Sequence, residues 1–434
     1  MNLLLSVIVF ATTLVLIIRR PRGLNEAFFA APGAALLLLT GTLALEDAAY
    51  IWQVVWNATL SLIGIMLLTA VMDDVGFFRW AALHIVRRFH GRRVPLMTGL
   101  AAFACLITTF FNNDGTVLIM TPIVLEVTAL LGMGMKARIA YLFGVGLMAD
   151  TASATLMVSN LTNILTADYF GISFGDYARH MAFPGLAAAA ATIGMLALVF
   201  GRTVARDAAS GPKESPAFPD PSTAVKSPLL FRLSWVVLLF ILIGYFGSEA
   251  LRMPVSLVAC GGALLLGAAA VATRSSDARR LAGRAPWLIV VFALAMNLIV
   301  YAMHLHGATD WFPRLLEPAA RSGLAGAIFG SGLLFSLLAA VMNNLPAVLI
   351  SSLSIAGMDG GEVSRVLPFA SLIGMSVGAK LTPLGSLATL LWLGLLRRDG
   401  VDIGWGAYMR FGVLLTVPVL LVSLGALWLQ AKLG

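Results

Sequence analysis

The stretch "FFNNDGTVLIMTPIV", residues 110–124, decides how this chain is read. Asn112, Asn113, Asp114 and Gly115 stand inside an otherwise apolar run. An aqueous loop would not need so abrupt a return to apolar residues. A turn covered by protein explains the pattern, because irregular backbone survives at membrane depth only where protein or a cavity surrounds it. The residues alone leave both readings open, since each arm is long enough to cross a bilayer.

The rest of the 434-residue chain is 59% hydrophobic and only 12% charged, with a mean hydropathy of +0.93. A soluble domain carries about 25% charge. Apolar runs of about twenty residues recur throughout, each sufficient for a membrane-crossing helix. The fold class is therefore an all-α polytopic membrane protein. A β-barrel would show alternating segments of about ten residues instead. The net charge of +8 is scattered over helix ends, which argues against a nucleic-acid partner. The run Leu3–Ile18 has no basic residue ahead of it and Arg19, Arg20 and Arg22 behind it, so it reads as a retained helix. Cys105 and Cys260 lie in separate apolar runs and give neither a disulfide framework nor a metal site. No HExxH motif or P-loop is present, so the residues imply a carrier without a cofactor and not an enzyme.

Working outward from 110–124, the chain answers itself. "TTFFNNDGTVLIMTPIV" (108–124) corresponds to "LAAVMNNLPAVLISSLSI" (338–355), and "GVGLMADTASATLMVSNL" (144–161) to "GMSVGAKLTPLGSLATLL" (374–391). Asn113 precedes Asp150 by 37 residues and Asn344 precedes Lys380 by 36. This spacing predicts an internal repeat. Residues 1–200 form a first transmembrane repeat and 229–434 a second, joined by a Pro- and Ser-rich flexible linker at 201–228. Each repeat is expected to hold about five spanning helices, a re-entrant hairpin at Asn-Asn and a helix broken near Asp150 or Lys380. An odd number of spans per repeat makes the second inverted with respect to the first.

Orientation follows from the 29 Lys and Arg. With this topology all but Arg179, Arg252, Arg314, Arg321, Arg365, Lys432 and the intramembrane Lys380 collect on one face. The richer face, which includes the linker, is cytoplasmic, and both termini are external.

An ionised group at mid-membrane costs about 2.5–3.5 kcal/mol on insertion scales, so each needs a reason. Asp150 and Lys380 occupy equivalent positions and are expected to meet, either as a structural ion pair or as a proton-coupling pair. Asp114 reads as a cap on the helix leaving the turn or as a second protonatable group. Asn112, Asn113, Asn343 and Asn344 offer amide donors and acceptors from both repeats. Thr116, Thr151, Ser153, Thr382 and Ser386 add hydroxyls beside them. Such a set suits a neutral hydroxyl-bearing solute or a partly dehydrated cation.

At "NNDGTVLIMTPIV", "ADTASATLMVSNLTNILTADYFG" and "LTPLGSLATLLWL" the sequence resembles the arsenical pump membrane protein family, within the ion transporter superfamily. The resemblance covers nearly the whole chain. It implies extrusion of arsenite and antimonite across a bacterial inner membrane in exchange for protons, in some members with a cytoplasmic ATPase partner. Glu126 stands where the family carries an apolar residue. Arsenite in water is mainly the neutral trihydroxide, which two cysteines in different halves cannot hold as a three-thiol site; hydroxyl recognition would permit release. Beside this stand a sodium/proton antiporter of the same fold, with Asp114 and Asp150 as ligands, a dicarboxylate carrier, and a membrane subunit dependent on an ATPase.

The charge asymmetry makes a prediction. Cysteines placed in the 201–228 linker should stay unlabelled by impermeant thiol reagents in intact cells; rapid labelling there would reverse the topology.

Overall fold

Apolar runs become helices here because a backbone in hydrocarbon must satisfy its own polar groups. The computed structural model describes residues 2–89, 91–210, 218–358 and 365–433. His90 and the linker segment 211–217 with Lys213 lie outside the described residues. Every regular element among those described is helical, and ten helices are long and apolar enough to cross a membrane.

The first half runs through α1 (Asn2–Arg19), α2 (Ala27–Leu39), α3 (Leu45–Val75), α4 (Phe77–Arg88), α5 (Arg93–Phe110), α6 (Asn113–Leu130), α7 (Met135–Ala152), α8 (Leu161–Phe170) and α9 (Phe174–Ser210). The second continues through α10 (Pro228–Gly247), α11 (Val255–Ala272), α12 (Ala278–Gly283), α13 (Trp287–Leu305), α14 (Trp311–Arg321) and α15 (Gly323–Ala325). A π-helical turn at Gly326–Gly330 leads into α16 (Ser331–Met342). Then come α17 (Asn344–Ala356), α18 (Leu367–Ser376), α19 (Leu387–Arg398) and α20 (Trp405–Leu433).

The order of elements recurs. In each half a long helix is followed by a short one rich in charge and aromatics, two helices meeting at Asn-Asn, a broken helix and a final long helix. The short helices α4 and α14 escape a search for apolar runs because they carry Arg79, Arg87 and Arg88, or Arg314, Glu317 and Arg321. At 13 residues α2 is shorter than the apolar run 27–44, since Gly41 turns the chain with φ at 69°.

Residues 201–210 continue α9 and are not part of a free linker. The described end of the linker is also docked. Its Ala224 carbonyl lies over Gly76, where a Cβ would collide with it, and the Lys226 amide donates to the Val75 carbonyl at 3.0 Å. Arg87 bonds Asp220 at 3.0 Å. The Ser222 hydroxyl and amide, helped by Arg87, hold the Asp220 carboxyl down to about 2.

The two halves are interleaved. α6 packs against α19 and α17 against α8, so the outgoing arm of each Asn-Asn pair rests on the broken helix of the other half. Within the second half, α16 and α18 approach at backbone distance: a Cβ on Gly374 would stand 2.6 Å from the Gly332 carbonyl oxygen and 2.9 Å from the Ser336 nitrogen. Neither neighbour is a side chain that can swing away. Gly374→Ala should therefore cost about 1–3 kcal/mol by overpacking. Thermal unfolding in detergent measures this, and an unchanged midpoint would show that the helices can separate.

Candidate functional site

Four interruptions of helices lie in the interior: the two Asn-Asn turns and the two breaks. Both turns are buried in protein, with Asn112, Asn113, Asp114, Asn343 and Asn344 all at 6% exposure or less. This removes the aqueous-loop reading of "FFNNDG".

Within each pair the two asparagines differ in role. Asn112 caps α6, its side-chain oxygen accepting from the Gly115 amide at 2.6 Å. Asn343 caps α17, accepting from the Leu345 amide at 3.2 Å, while its Nδ2 donates to the Leu384 carbonyl at 2.8 Å. Its φ of 79° is one that L-residues rarely adopt. Asn112, and not Asp114, is thus the cap of α6, because Asp114 already lies inside the first turn of the helix. Asp114 Oδ1 is buried without a partner in the protein, and so are Asn112 Nδ2 and Asn344 Oδ1.

Asp150 is the hub. Asn113 Nδ2 donates to its Oδ1 at 3.2 Å, Ser386 Oγ to the same oxygen at 2.7 Å, and Thr389 Oγ1 to Oδ2 at 2.9 Å. One donor comes from the first half and two from the second. The Asn344 amide donates to the Gly385 carbonyl at 2.9 Å. A continuous path therefore joins the two turns, from Asn344 through Gly385 and Ser386 to Asp150 and Asn113.

Lys380 behaves differently from the expectation. It is as buried as Asp150, at 1% exposure, but the two make no ion pair within 4.0 Å. The ammonium instead donates to the Leu147 carbonyl at 3.3 Å and to Thr151 Oγ1. The reason is geometric. Lys380 sits on the short turn Gly378–Leu381 before its break, and its stem reaches the turn of α7 that precedes Asp150. The carboxylate points past the break, to the start of α19. The two charges still act on one another, and Asp114 lies within Coulombic reach of Asp150.

Four of the hydroxyls picked from the sequence serve the local framework. Thr116 donates to the Asn112 carbonyl at 2.7 Å and accepts from Thr108 at 2.8 Å. Ser153 bonds the Asp150 carbonyl at 2.8 Å and accepts from Asn160 at 3.3 Å. Thr382 donates to the Ala340 carbonyl at 2.5 Å. Thr151 donates to the Leu147 carbonyl at 2.8 Å while accepting from Lys380 and from Thr192 at 3.2 Å. Two of the five reach a charged group directly, Thr151 at Lys380 and Ser386 at Asp150. Thr389 was not among the candidates, although it lies three residues after Ser386 and so shares its helix face. Tyr408, 3.3 Å from Thr389, has no sequence signal of its own.

The two members of an Asn pair should respond differently to truncation. Asn343→Ala loses a cap and leaves the Leu384 carbonyl unpaired, a cost of about 2 kcal/mol or more. Asn344→Ala removes a carboxamide whose oxygen has no protein partner. Thermal stability in detergent should fall for the first and hold for the second, with transport lost in the second; equal stability losses would place both asparagines in the framework.

The chain matches the family described as arsenical pump membrane protein over residues 5–430. Proteins of that name from Yersinia enterocolitica and Escherichia coli (strain K12) are each 40% identical to it, over 435 and 429 residues, with 99% of both chains covered. Its fold is similar to that of the YdaH transporter of Alcanivorax borkumensis, described as having an unusual topology. That likeness has a TM-score of 0.51 at 17% identity and covers 97% of this chain and 98% of the other. A buried polar network inside a multi-pass helical bundle, together with full-length similarity at this level, gives the chain its place: it belongs to the arsenical pump membrane protein family.

Proposed function

We propose that the protein is a secondary transporter that expels the neutral trihydroxides of arsenic(III) and antimony(III) from a bacterial cytoplasm, exchanging them for protons. Family membership supports the cargo. The observation that carries recognition is three buried atoms of the Asn-Asn turns that have no protein partner: one amide donor, Asn112 Nδ2, and two acceptors, Asp114 Oδ1 and Asn344 Oδ1. A hydroxyl-bearing solute both accepts and donates, so it can satisfy all three kinds of contact. Cys105 and Cys260 are both free thiols on helices of different halves, α5 and α11, which supports hydroxyl recognition over thiolate capture.

Asn113 and Asn344 face this cargo from the two halves, Asn112 and Ser386 orient it, and Thr151 holds Lys380 in place. Asp114, Asp150 and Lys380 carry the proton coupling. The recurring element order supports two repeats with re-entrant Asn-Asn hairpins, and the Lys and Arg asymmetry supports their opposite orientation in the inner membrane, with both termini external and the linker cytoplasmic. Alternating access then moves one repeat against the other around the shared network. Sodium is a poorer cargo at this point, because three hydrogen-bond donors and a nearby ammonium already serve Asp150. Flux carried by purified protein in proteoliposomes without an ATPase is the expected outcome of this reading; flux that appears only with a cytoplasmic ATPase would make the chain its membrane subunit.

Everted vesicles given arsenite, sodium or succinate under an imposed proton gradient test the cargo; uptake of sodium or succinate alone would reject it. The coupling has its own test. Removing Asp150 or Lys380 singly leaves the other charge buried without the opposite charge that acts on it from beyond ion-pair distance. Asp150→Asn with Lys380→Met should therefore recover folded yield that either single variant loses. Arsenite flux in the double variant should no longer depend on pH. Wild-type pH dependence in that protein would move the proton to Asp114.

A further inference from the structure

Away from the network, a cavity of about 200 Å³ lies between α3 and α6, lined by Thr69, Ala70 and Asp73 on one side, Gly115 and Leu118 on the other, and Arg284 across its mouth. Its floor is the Asn-Asn turn. The amide of Gly115 is the one held by Asn112, and the Thr69 methyl lies 3.5 Å from where a Gly115 Cβ would stand. Its mouth is on the linker face, because Asp73 and Asp74 precede Val75, whose carbonyl accepts from Lys226 of the linker. A water needs only about 10–15 Å³ of such volume, so a single heavy atom bearing three hydroxyls fits with room to move.

Arg284 is the one element of the second half at this mouth among the lining residues. Its Nη2 pairs with Asp74 Oδ1 at 2.9 Å and its Nη1 donates to the Ala70 carbonyl at 3.3 Å. Both partners belong to the last turns of α3, where exposed carbonyls favour a cation. Arg284 lies just ahead of α13, and α13 packs on α17, the outgoing arm of the second Asn-Asn pair. The guanidinium thus adds a polar contact between the second half and the end of α3 beside this cavity, where α3 already packs on α11 and α13.

We propose that this cleft is the inlet from the linker face to the Asn-Asn turn, and that Arg284 holds it open by docking on α3. The proposal rests on the transport function above and adds a route and a gate to it. The pair is made in the state whose inlet is open, so breaking it shifts the population away from that state. An Arg–Asp pair this exposed is worth little in absolute terms, and the shift is about two- to fivefold.

The test uses full-length protein carrying Cys105→Ala and Cys260→Ala, with Ala70→Cys or, as an independent reporter, Leu118→Cys. An impermeant methanethiosulfonate should modify either cysteine in everted vesicles and not in right-side-out cells, read by mass shift. Modification should block arsenite uptake relative to the same variant unmodified. Adding Arg284→Gln should slow modification about two- to fivefold and raise the KM for arsenite, and Arg284→Lys should restore most of the rate. Complete modification with unchanged flux, labelling from the opposite face, or labelling indifferent to Arg284→Gln would each overturn the proposal. The labelling arms need no cargo, so absent arsenite flux in the unmodified protein would reject the function while the inlet and gate are still judged.

Discussion

A helix that stops inside an apolar bundle strands the amides and carbonyls at its end, and there is no bulk water to take them. This structure stops helices in its interior at four places, and many of its buried polar side chains are there to answer for it. Asn112 and Asn343 take stranded amides. Asn163 Nδ2 closes the first break by donating to the Ser153 carbonyl at 2.6 Å and the Leu156 carbonyl at 3.0 Å. Ser159 reaches across to the Thr109 carbonyl at 2.8 Å, next to the first turn. Asn160 caps α8 through the Thr162 amide at 3.2 Å. The second break is closed by Asn343, Asn344 and Thr382 acting on residues 384, 385 and 340. At the Asn-Asn turns, Asn112 Nδ2, Asp114 Oδ1 and Asn344 Oδ1 stay without a protein partner, as do other buried groups near the first break such as Thr155 Oγ1 and Asn163 Oδ1.

That accounting explains which parts of the site were legible beforehand. Residue type and spacing exposed the turns and breaks, because amides and charges are conspicuous against Leu, Val and Ala. The multi-pass helical class followed from apolar run length. Side-chain direction was not legible. Asn112 and Asn113 are adjacent letters, yet one serves its own helix and the other reaches Asp150, a division set by where α6 begins. Thr389 hid because a threonine in "SLATLL" is an ordinary helix residue until its face is known. The charge-rich helices α4 and α14 were invisible to hydropathy because the charges on their outer faces lower the mean of a short segment.

Asp150 and Lys380 show how equivalence in sequence can mislead about contact. Matched positions brought both to the centre, but the side chains diverge across the break, one toward Ser386 and Thr389 and the other toward Leu147 and Thr151. Each charge is satisfied mainly by hydroxyls and carbonyls of the opposite half. The arrangement separates two tasks that a direct ion pair would fuse. Hydrogen bonds stabilise each charge, and the Coulombic influence of one on the other remains adjustable by small movements of the halves. Trp392 fixes the spacing, since its ring lies against Gly146 one helical turn before Asp150, where a Cβ would stand 2.8 Å from it.

The hydroxyls that complete Asp150 come 236 and 239 residues later in the chain. At about 5–20 residues per second of synthesis, the carboxylate waits roughly 10–50 s in the membrane before they are made. In that interval Asn113 is the one donor to its carboxylate that the nascent chain already contains. The first half is therefore born as an incomplete folding unit, and its survival until the second arrives becomes a matter of kinetics in biogenesis. Insertion machinery that shelters a polar helix end for that long is as much a requirement of this fold as any contact within it.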